Sequence, residues 1–172
     1  KKAKQKVKNQ VEDIADDLIK LYSERSQLKG FAFSTDDEDQ HAFDDAFPYV
    51  ETDDQLRSIE EIKRDMQDSH PMDRLLVGDV GFGKTEVAMR AAFKAVNDHK
   101  QVVVLVPTTV LAQQHYTNFK ERFQNFAVNI DVLSRFRSKK EQAETLEKLK
   151  NGQVDILIGT HRVLSKDVVF SD

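Results

Sequence analysis

The segment from Gly78 to Thr85 has the spacing G-x-x-x-x-G-K-T, which is typical of a loop that binds the phosphates of a nucleotide. The apolar run 75–77 before it predicts a short buried strand, and the good helix formers of 86–96 after it predict a helix. The glycines let the backbone approach a phosphate closely, and free N–H groups at the helix start face the anion. A glycine-rich turn before an ordinary helix is the alternative, but the complete spacing and both flanks favour nucleotide binding.

We therefore predict a site for ATP and Mg²⁺ in this segment. Lys84 is predicted to reach the β- and γ-phosphates, and the Thr85 hydroxyl is predicted to bind Mg²⁺, so these two are the catalytic candidates. The cofactor-binding candidates share the loop or precede it in the chain: Phe47, Gln55, Gly78, Asp79, Val80, Gly81, Phe82, Gly83, Lys84 and Thr85.

Short apolar runs alternate with helical patterns through the rest of the chain. Strands are predicted at 101–106, 128–133 and 154–159, the first of them buried on both faces because its β-branched run is continuous. A helix is predicted after Thr108, with Val110, Leu111, Phe119 and Phe123 in the core, and another is predicted between Ser138 and Gly152. This order predicts a three-layer α/β domain with a mainly parallel sheet.

Two earlier regions precede this domain, so we divide the chain into 1–30, 31–51 and 52–172. The first is a long helix whose apolar residues at steps of three and four form one stripe, able to dock on the domain or to bridge to a neighbour. The second is acidic, and Thr35 to Glu38 predicts a capping box for a short helix that ends near Phe43 or Ala46.

Gln55 has two interpretations. The segment Thr52 to Gln55 predicts a capping box for a helix whose buried face carries Leu56, Ile59, Ile62 and Met66. A primary amide also matches the donor and acceptor on the edge of adenine. Both interpretations can hold at once.

Two further segments, 107–109 and 159–162, follow predicted strands. We expect both beside the phosphate loop, because the carboxyl ends of parallel strands meet at one edge of a sheet. Each pairs hydroxyl groups with a helix start, which is typical of phosphate contacts but also of simple helix caps. With two basic residues from a third segment they form the predicted DNA-binding set: Pro107, Thr108, Thr109, Arg135, Arg137, Gly159, Thr160, His161 and Arg162.

The composition excludes some classes of site and partner. The formal net charge is −4, which argues against a uniformly basic surface, although 135–140 is locally basic with an aromatic residue inside it. There are no cysteines, so disulfides and thiolate metal sites are excluded. No apolar run approaches the length of a membrane span, so we expect a cytoplasmic protein without a membrane partner.

No strand predicted after Thr85 ends in an Asp-Glu pair, the usual source of the carboxylates that hold Mg²⁺ and activate water. We therefore expect a truncated domain that binds nucleotide but hydrolyses ATP negligibly by itself. We also expect strand 75–77 to lack a neighbour, with either self-association through its open edge or a poorly ordered loop as the result.

The motifs resemble those of superfamily-two DNA translocases, and within them the bacterial group that couples transcription to DNA repair. Segments 78–88, 106–115 and 158–162 resemble motifs I, Ia and Ib of these enzymes, and Gln55 lies where their Q motif has glutamine. Branch-migrating replication-fork helicases share much of the pattern, but they more usually carry Ser at the position of Phe82.

The resemblance implies a first RecA-like motor lobe that moves on double-stranded DNA with ATP, contacting the backbone without regard to sequence. It also implies RNA polymerase, displaced when stalled, and excision-repair proteins as partners of the whole protein. Alternatives are a lobe of a fork helicase and a non-catalytic nucleotide-binding module that regulates a partner. A small-molecule kinase is disfavoured because it would leave the segments at Pro107 and Thr160 without a use.

Overall fold

The computed structural model describes residues 1–76 and 83–172, apart from the side chain of Ser26. The helices are α1 (Lys2–Gln27), α2 (Glu38–Asp45), α3 (Asp53–Gln67), α4 (Lys84–Asn97), α5 (Thr109–Arg122) and α6 (Lys139–Lys150). The strands are β1 (Val102–Leu105), β2 (Ile130–Leu133) and β3 (Ile156–Gly159), and a 3₁₀ helix over His161–Leu164 follows β3. Each of the three strands predicted at 101–106, 128–133 and 154–159 is confirmed with a shorter span.

The three strands form a parallel sheet in the order β1-β3-β2 within the described ranges. Gly159 at the end of β3 is in register with Leu105 on one side and Leu133 on the other. The strands therefore end in one row, so the segments that follow them leave the sheet at the same edge.

Helices cover both faces of the sheet, which confirms the predicted three-layer α/β architecture. On one face, a cluster of buried phenylalanines from α2, α4 and the α5 region packs on Ile156 and Ile158 of β3. On the other face, Leu149 of α6 packs with Leu133 and Leu157. The central strand β3 is buried on both faces because it lies between these two layers.

Two predictions about strands are wrong. Side chains of β1 are not buried on both faces, since Val103 and Leu105 are exposed. On that face α6 packs against β2 and leaves β1 uncovered. Leu75 and Leu76 lie in no strand, and Leu75 is 85% exposed. The rest of that predicted strand, Val77, and the loop up to Phe82 lie outside the described residues.

The long helix α1 is confirmed, and its apolar stripe is exposed along the whole length. Val7, Ile14 and Ile19 all have more than half of their surface accessible. The contacts of this region to the domain lie at its end, where Arg25 donates a hydrogen bond to the carbonyl of Met72 at 3.5 Å. Within the described residues, the stripe therefore docks on nothing.

The short acidic helix α2 is confirmed, but its cap is Asp37 and the predicted capping box at Thr35 is wrong. The Asp37 carboxylate accepts a hydrogen bond from the Gln40 backbone N–H at 3.0 Å. The neighbouring Asp36 binds Lys63 at 2.8 Å and Lys94 at 2.9 Å. Burial opposes ionisation of Asp36, but the bonds from both lysines outweigh it and lower its pKa. These long-range ion pairs hold 34–36 outside the helix.

Caps at α3 and α6 agree with the sequence. Thr52 with Gln55, and Ser138 with Glu141, each form both hydrogen bonds of a capping box. Ile59, Ile62 and Met66 are buried as predicted, as are Phe119 and Phe123. Leu56 and Val110 are exposed, so their predicted burial is wrong; both lie near the start of their helices, beyond the core.

Candidate nucleotide and nucleic-acid sites

The phosphate loop ends at Gly83, which caps the start of α4. Gly83 has φ = 77°, in the left-handed region that favours glycine, and a Cβ there would overlap Nε2 of Gln55. Only the short segment 98–101 separates α4 from β1, so α4 runs antiparallel to β1 and begins at the carboxyl edge of the sheet. Lys84 and Thr85 therefore lie in the first turn of α4, where helix N–H groups attract an anion.

The other predicted residues of the phosphate loop lie outside the described residues: Gly78, Asp79, Val80, Gly81 and Phe82.

Gln55 connects the start of α3 to this loop. Its Oε1 accepts from the Thr52 backbone N–H at 2.9 Å, and its Nε2 donates to the Gly83 carbonyl at 3.4 Å. The capping interpretation is thus confirmed. A primary amide has two N–H donors and two acceptor lone pairs, so one of each remains for a ligand. The adenine interpretation remains a prediction.

A cavity of about 500 Å³ lies beside the first turn of α4. Its walls include Phe47, Tyr49, Thr85, Met89 and Arg122. The rings of Phe47 and Tyr49 meet edge to face, with their centroids 5.6 Å apart. This aromatic wall next to Thr85 has the size and chemistry for a planar heterocycle.

Behind this wall lies a buried ion-pair cluster that the sequence interpretation missed. The side chains of Glu86, Arg90 and Arg122 are 7%, 4% and 9% exposed. Glu86 accepts from Arg90 Nε at 2.9 Å and from Arg122 Nε at 2.6 Å. Both guanidinium groups also lie over the Phe47 ring, at 5.3 Å and 5.9 Å from its centroid. The cluster therefore fixes the cavity wall to the first turns of α4.

Arg90 extends the cluster to the loop before α3. Its Nη2 donates to Glu51 at 2.8 Å, and this hydrogen bond lowers the pKa of Glu51. Burial works against the charge of Arg90, but its bonds to Glu51 and Glu86 outweigh burial and raise its pKa. The i, i+4 spacing of Glu86 and Arg90 is a signal that could have been read. Arg122 is distant in sequence, and no local pattern points to it.

The predicted DNA-binding segments do converge on the carboxyl edge of the sheet. Pro107 and Thr108 are exposed after β1, Thr109 is half-buried, and the Thr108 hydroxyl caps α5 by accepting from the Leu111 N–H at 3.2 Å. Gly159 is buried, and a Cβ there would lie 2.5 Å from the Leu133 carbonyl oxygen and overlap the Val163 side chain.

Thr160 and His161 begin the 3₁₀ helix that follows β3. The Thr160 side chain makes no capping hydrogen bond, in contrast to Thr108. His161 is exposed and Thr160 half-buried. The Thr160 hydroxyl group therefore takes no part in capping the 3₁₀ helix.

Arg162 is held by two neighbours. It binds the Asp167 carboxylate with two hydrogen bonds of 2.8 Å, which raise the pKa of Arg162 and lower that of Asp167. Its Nε also donates to Gln142 Oε1 at 3.1 Å, and Gln142 Nε2 donates to the Arg137 carbonyl at 3.0 Å. Gln142 thus joins the segments that follow β2 and β3.

Arg135 and Arg137 differ sharply. Arg135 is exposed, whereas Arg137 Nη1 donates to Asp131 Oδ1, the Val132 carbonyl and Thr145 Oγ1 at 2.8–2.9 Å. Arg137 is therefore engaged with β2 and α6 rather than directed to solvent.

Other features of the described residues do not add to these sites. A cavity of about 670 Å³ lies at the amino ends of β2 and β3, on the opposite edge of the sheet. In 1–76 and 83–172, no group of three or more histidine or acidic side chains is placed to hold a metal ion. No helix in those ranges has the length and apolar character needed to cross a membrane.

Comparison with known proteins matches residues 52–171 to the family model described as DEAD/DEAH box helicase. The chain is 67% identical over 172 residues to the transcription-repair-coupling factor of Bacillus subtilis (strain 168) and 59% identical to that of Staphylococcus epidermidis (strain RP62A). It matches its whole length to 15% of each of these relatives. The structure of RecG bound to a three-way DNA junction superimposes with a TM-score of 0.83 at 35% identity, covering 89% of this chain and 21% of RecG.

Proposed function

Because this chain belongs to the DEAD/DEAH box helicase family, we propose that it forms the ATP-binding part of the first RecA-like lobe of a double-stranded DNA translocase. The observation that carries the proposal is the joint position of three segments. The start of α4, the Thr108 cap and the Thr160 turn all lie at the carboxyl edge of one parallel sheet. A nucleotide and a DNA backbone can therefore contact adjacent parts of one edge.

ATP fits the described part of the phosphate loop. Gly83 leaves no room for a side chain, the first turn of α4 offers backbone N–H groups, and Lys84 supplies a cation for the phosphates. Thr85 would hold Mg²⁺, which when bound neutralises charge on the phosphates during transfer. Phe47 and Tyr49 would contact the base in the cavity beside Thr85. The remaining donor and acceptor of Gln55 would read the edge of the base.

The DNA contacts we propose are directed at phosphates, so binding is independent of base sequence and sensitive to salt. Thr160, His161 and Arg135 would contact the backbone directly, as would Pro107, Thr108 and Thr109 through the start of α5. Gly159 permits the close approach of the strands, and Arg162 would act from its bidentate pair with Asp167.

We also propose that the intact protein couples transcription to DNA repair. The 67% identity to a transcription-repair-coupling factor supports it more strongly than the 35% identity to RecG supports a fork helicase. RNA polymerase and excision-repair proteins would be the partners of the intact protein.

The experiment that tests the proposed function is ATP hydrolysis by the intact protein with and without duplex DNA. We expect duplex DNA to stimulate hydrolysis, and Arg135→Ala to reduce the stimulation while leaving ATP affinity unchanged. Lys8→Ala, which alters an exposed lysine on α1, is the matched control. Hydrolysis that does not respond to duplex DNA would rule out the translocase.

Loss of Gln55 is expected to change base selectivity more than phosphate binding. Gln55→Ala should lower affinity for ATP by about 1–2 kcal/mol, the magnitude of a hydrogen bond, and lower affinity for GTP less. Titration of both nucleotides measures this difference. Because Gln55 also caps α3, Thr52→Ala is the control that weakens the cap and keeps the amide. Equal losses for ATP and GTP would reduce Gln55 to a helix cap.

A further inference from the structure

We propose that Phe136 is an apolar contact to the minor groove of duplex DNA, presented by a turn that Arg137 holds in place. The proposal rests on the proposed function, because it requires duplex DNA at the carboxyl edge of the sheet. It adds a non-ionic contact to an interface that we otherwise built from phosphate contacts.

Phe136 is the most exposed of the aromatic side chains in the described ranges. It is 81% exposed, at the tip of the turn between β2 and α6. Three exposed, positively charged residues lie within four positions of it in sequence: Arg135, Lys139 and Lys140. A solvent-exposed ring with basic residues close to it in sequence suits a partner that is anionic and also has an apolar surface.

The turn is held by hydrogen bonds on both sides of the ring. Arg137 Nη1 donates to Asp131, to the Val132 carbonyl and to Thr145, and the Arg137 backbone N–H donates to the Ser134 carbonyl at 3.2 Å. Thr145 in turn donates to Asp131 Oδ2 at 2.8 Å. This network fixes the direction of the turn before any ligand binds, so little entropy is lost on binding.

Arg137 therefore acts as a positioning residue in this proposal. Gln142 extends the network to Arg162, so hydrogen bonds connect the Phe136 turn to the segment after β3. The Phe136 ring could therefore enter a DNA groove while the segment after β3 contacts the phosphates at the edge of that groove.

Duplex DNA offers that geometry in the minor groove. Its walls are the apolar faces of deoxyribose, and apolar side chains can insert there between base steps. The flanking cations would then contact the phosphates on the groove edges. Because the ring is uncharged, it releases no counterions, and this distinguishes its contribution from that of an arginine.

The test is equilibrium binding of the intact protein to a duplex across a series of salt concentrations. We expect Phe136→Ala to lower affinity by about tenfold, the effect of burying part of one apolar side chain, without changing the slope of log K against log salt. Phe136→Leu should restore most of the affinity. Arg135→Ala should instead reduce the slope by about one unit.

Leu18→Ala, which removes a half-exposed apolar side chain from α1, controls for a general loss of apolar surface and should leave DNA affinity unchanged. If the unaltered protein binds duplex DNA with a steep salt dependence but Phe136→Ala binds equally well, the Phe136 contact is wrong and the translocase stands. If Phe136→Ala changes the salt slope, the turn has moved and the ring is not the contact. If the unaltered protein binds no duplex, the proposed function fails as well.

Discussion

Replacing Lys84 with alanine is expected to abolish ATP hydrolysis by the intact protein, with a loss of at least about 10³-fold. Lys84 lies in the first turn of α4, directly after the loop glycine that has no room for a side chain. Phosphoryl transfer depends on fixed positive charge next to the phosphates, and water cannot replace a cation held in place. Steady-state hydrolysis and nucleotide titration measure the two parts of this effect.

The control for Lys84→Ala is Lys8→Ala, which removes the same charge from α1. Hydrolysis should then be unchanged, because α1 lies away from the carboxyl edge. Hydrolysis by Lys84→Ala within about tenfold of the unaltered protein, a difference of only ~1.4 kcal/mol in the barrier, would contradict the assigned role.

Replacing Glu86 with leucine is expected to destabilise α4 by about 3–5 kcal/mol, because it leaves two buried guanidinium groups without their shared carboxylate. Arg90 and Arg122 both donate to Glu86, and their side chains are at most 9% exposed. Hydrogen exchange of the α4 amides in the intact protein measures this opening free energy locally. The same change should loosen Phe47, since both guanidinium groups lie over its ring.

Glu12→Ala is the matched control, because Glu12 pairs with Lys8 at 3.9 Å and its side chain is 61% exposed. An exposed pair of this kind contributes about 0–1 kcal/mol, so the control should have little effect. Exchange in α4 that is the same for Glu86→Leu and for the control would show that the cluster does not hold the helix.

Features encoded by a few adjacent residues could be predicted from the sequence. The capping boxes of α3 and α6 are examples, because Thr52 and Ser138 need only a partner three residues away. The row of strand ends was also predictable, because alternating strands and helices restrict the topology.

Features that depend on distant residues could not be predicted. The cap of α2 is Asp37 rather than the predicted Thr35, because lysines of α3 and α4 bind Asp36. Arg137 has the local appearance of an exposed cation, yet Asp131 and Thr145 engage it. Continuous apolar runs such as β1 do not reveal which face a helix leaves uncovered.

The glycine at the end of β3 gives the segment Gly159–Thr160–His161–Arg162 two separate kinds of constraint. The backbone of Leu133 and the side chain of Val163 leave no space for any side chain at position 159. A library selected for folding alone would therefore keep glycine at that position, whereas the exposed His161 would vary freely. Under the proposed function, selection for DNA translocation by the intact protein would in addition restrict Thr160 and His161. Comparing the two selections would separate the residues that the fold requires from those that the proposed DNA contacts require.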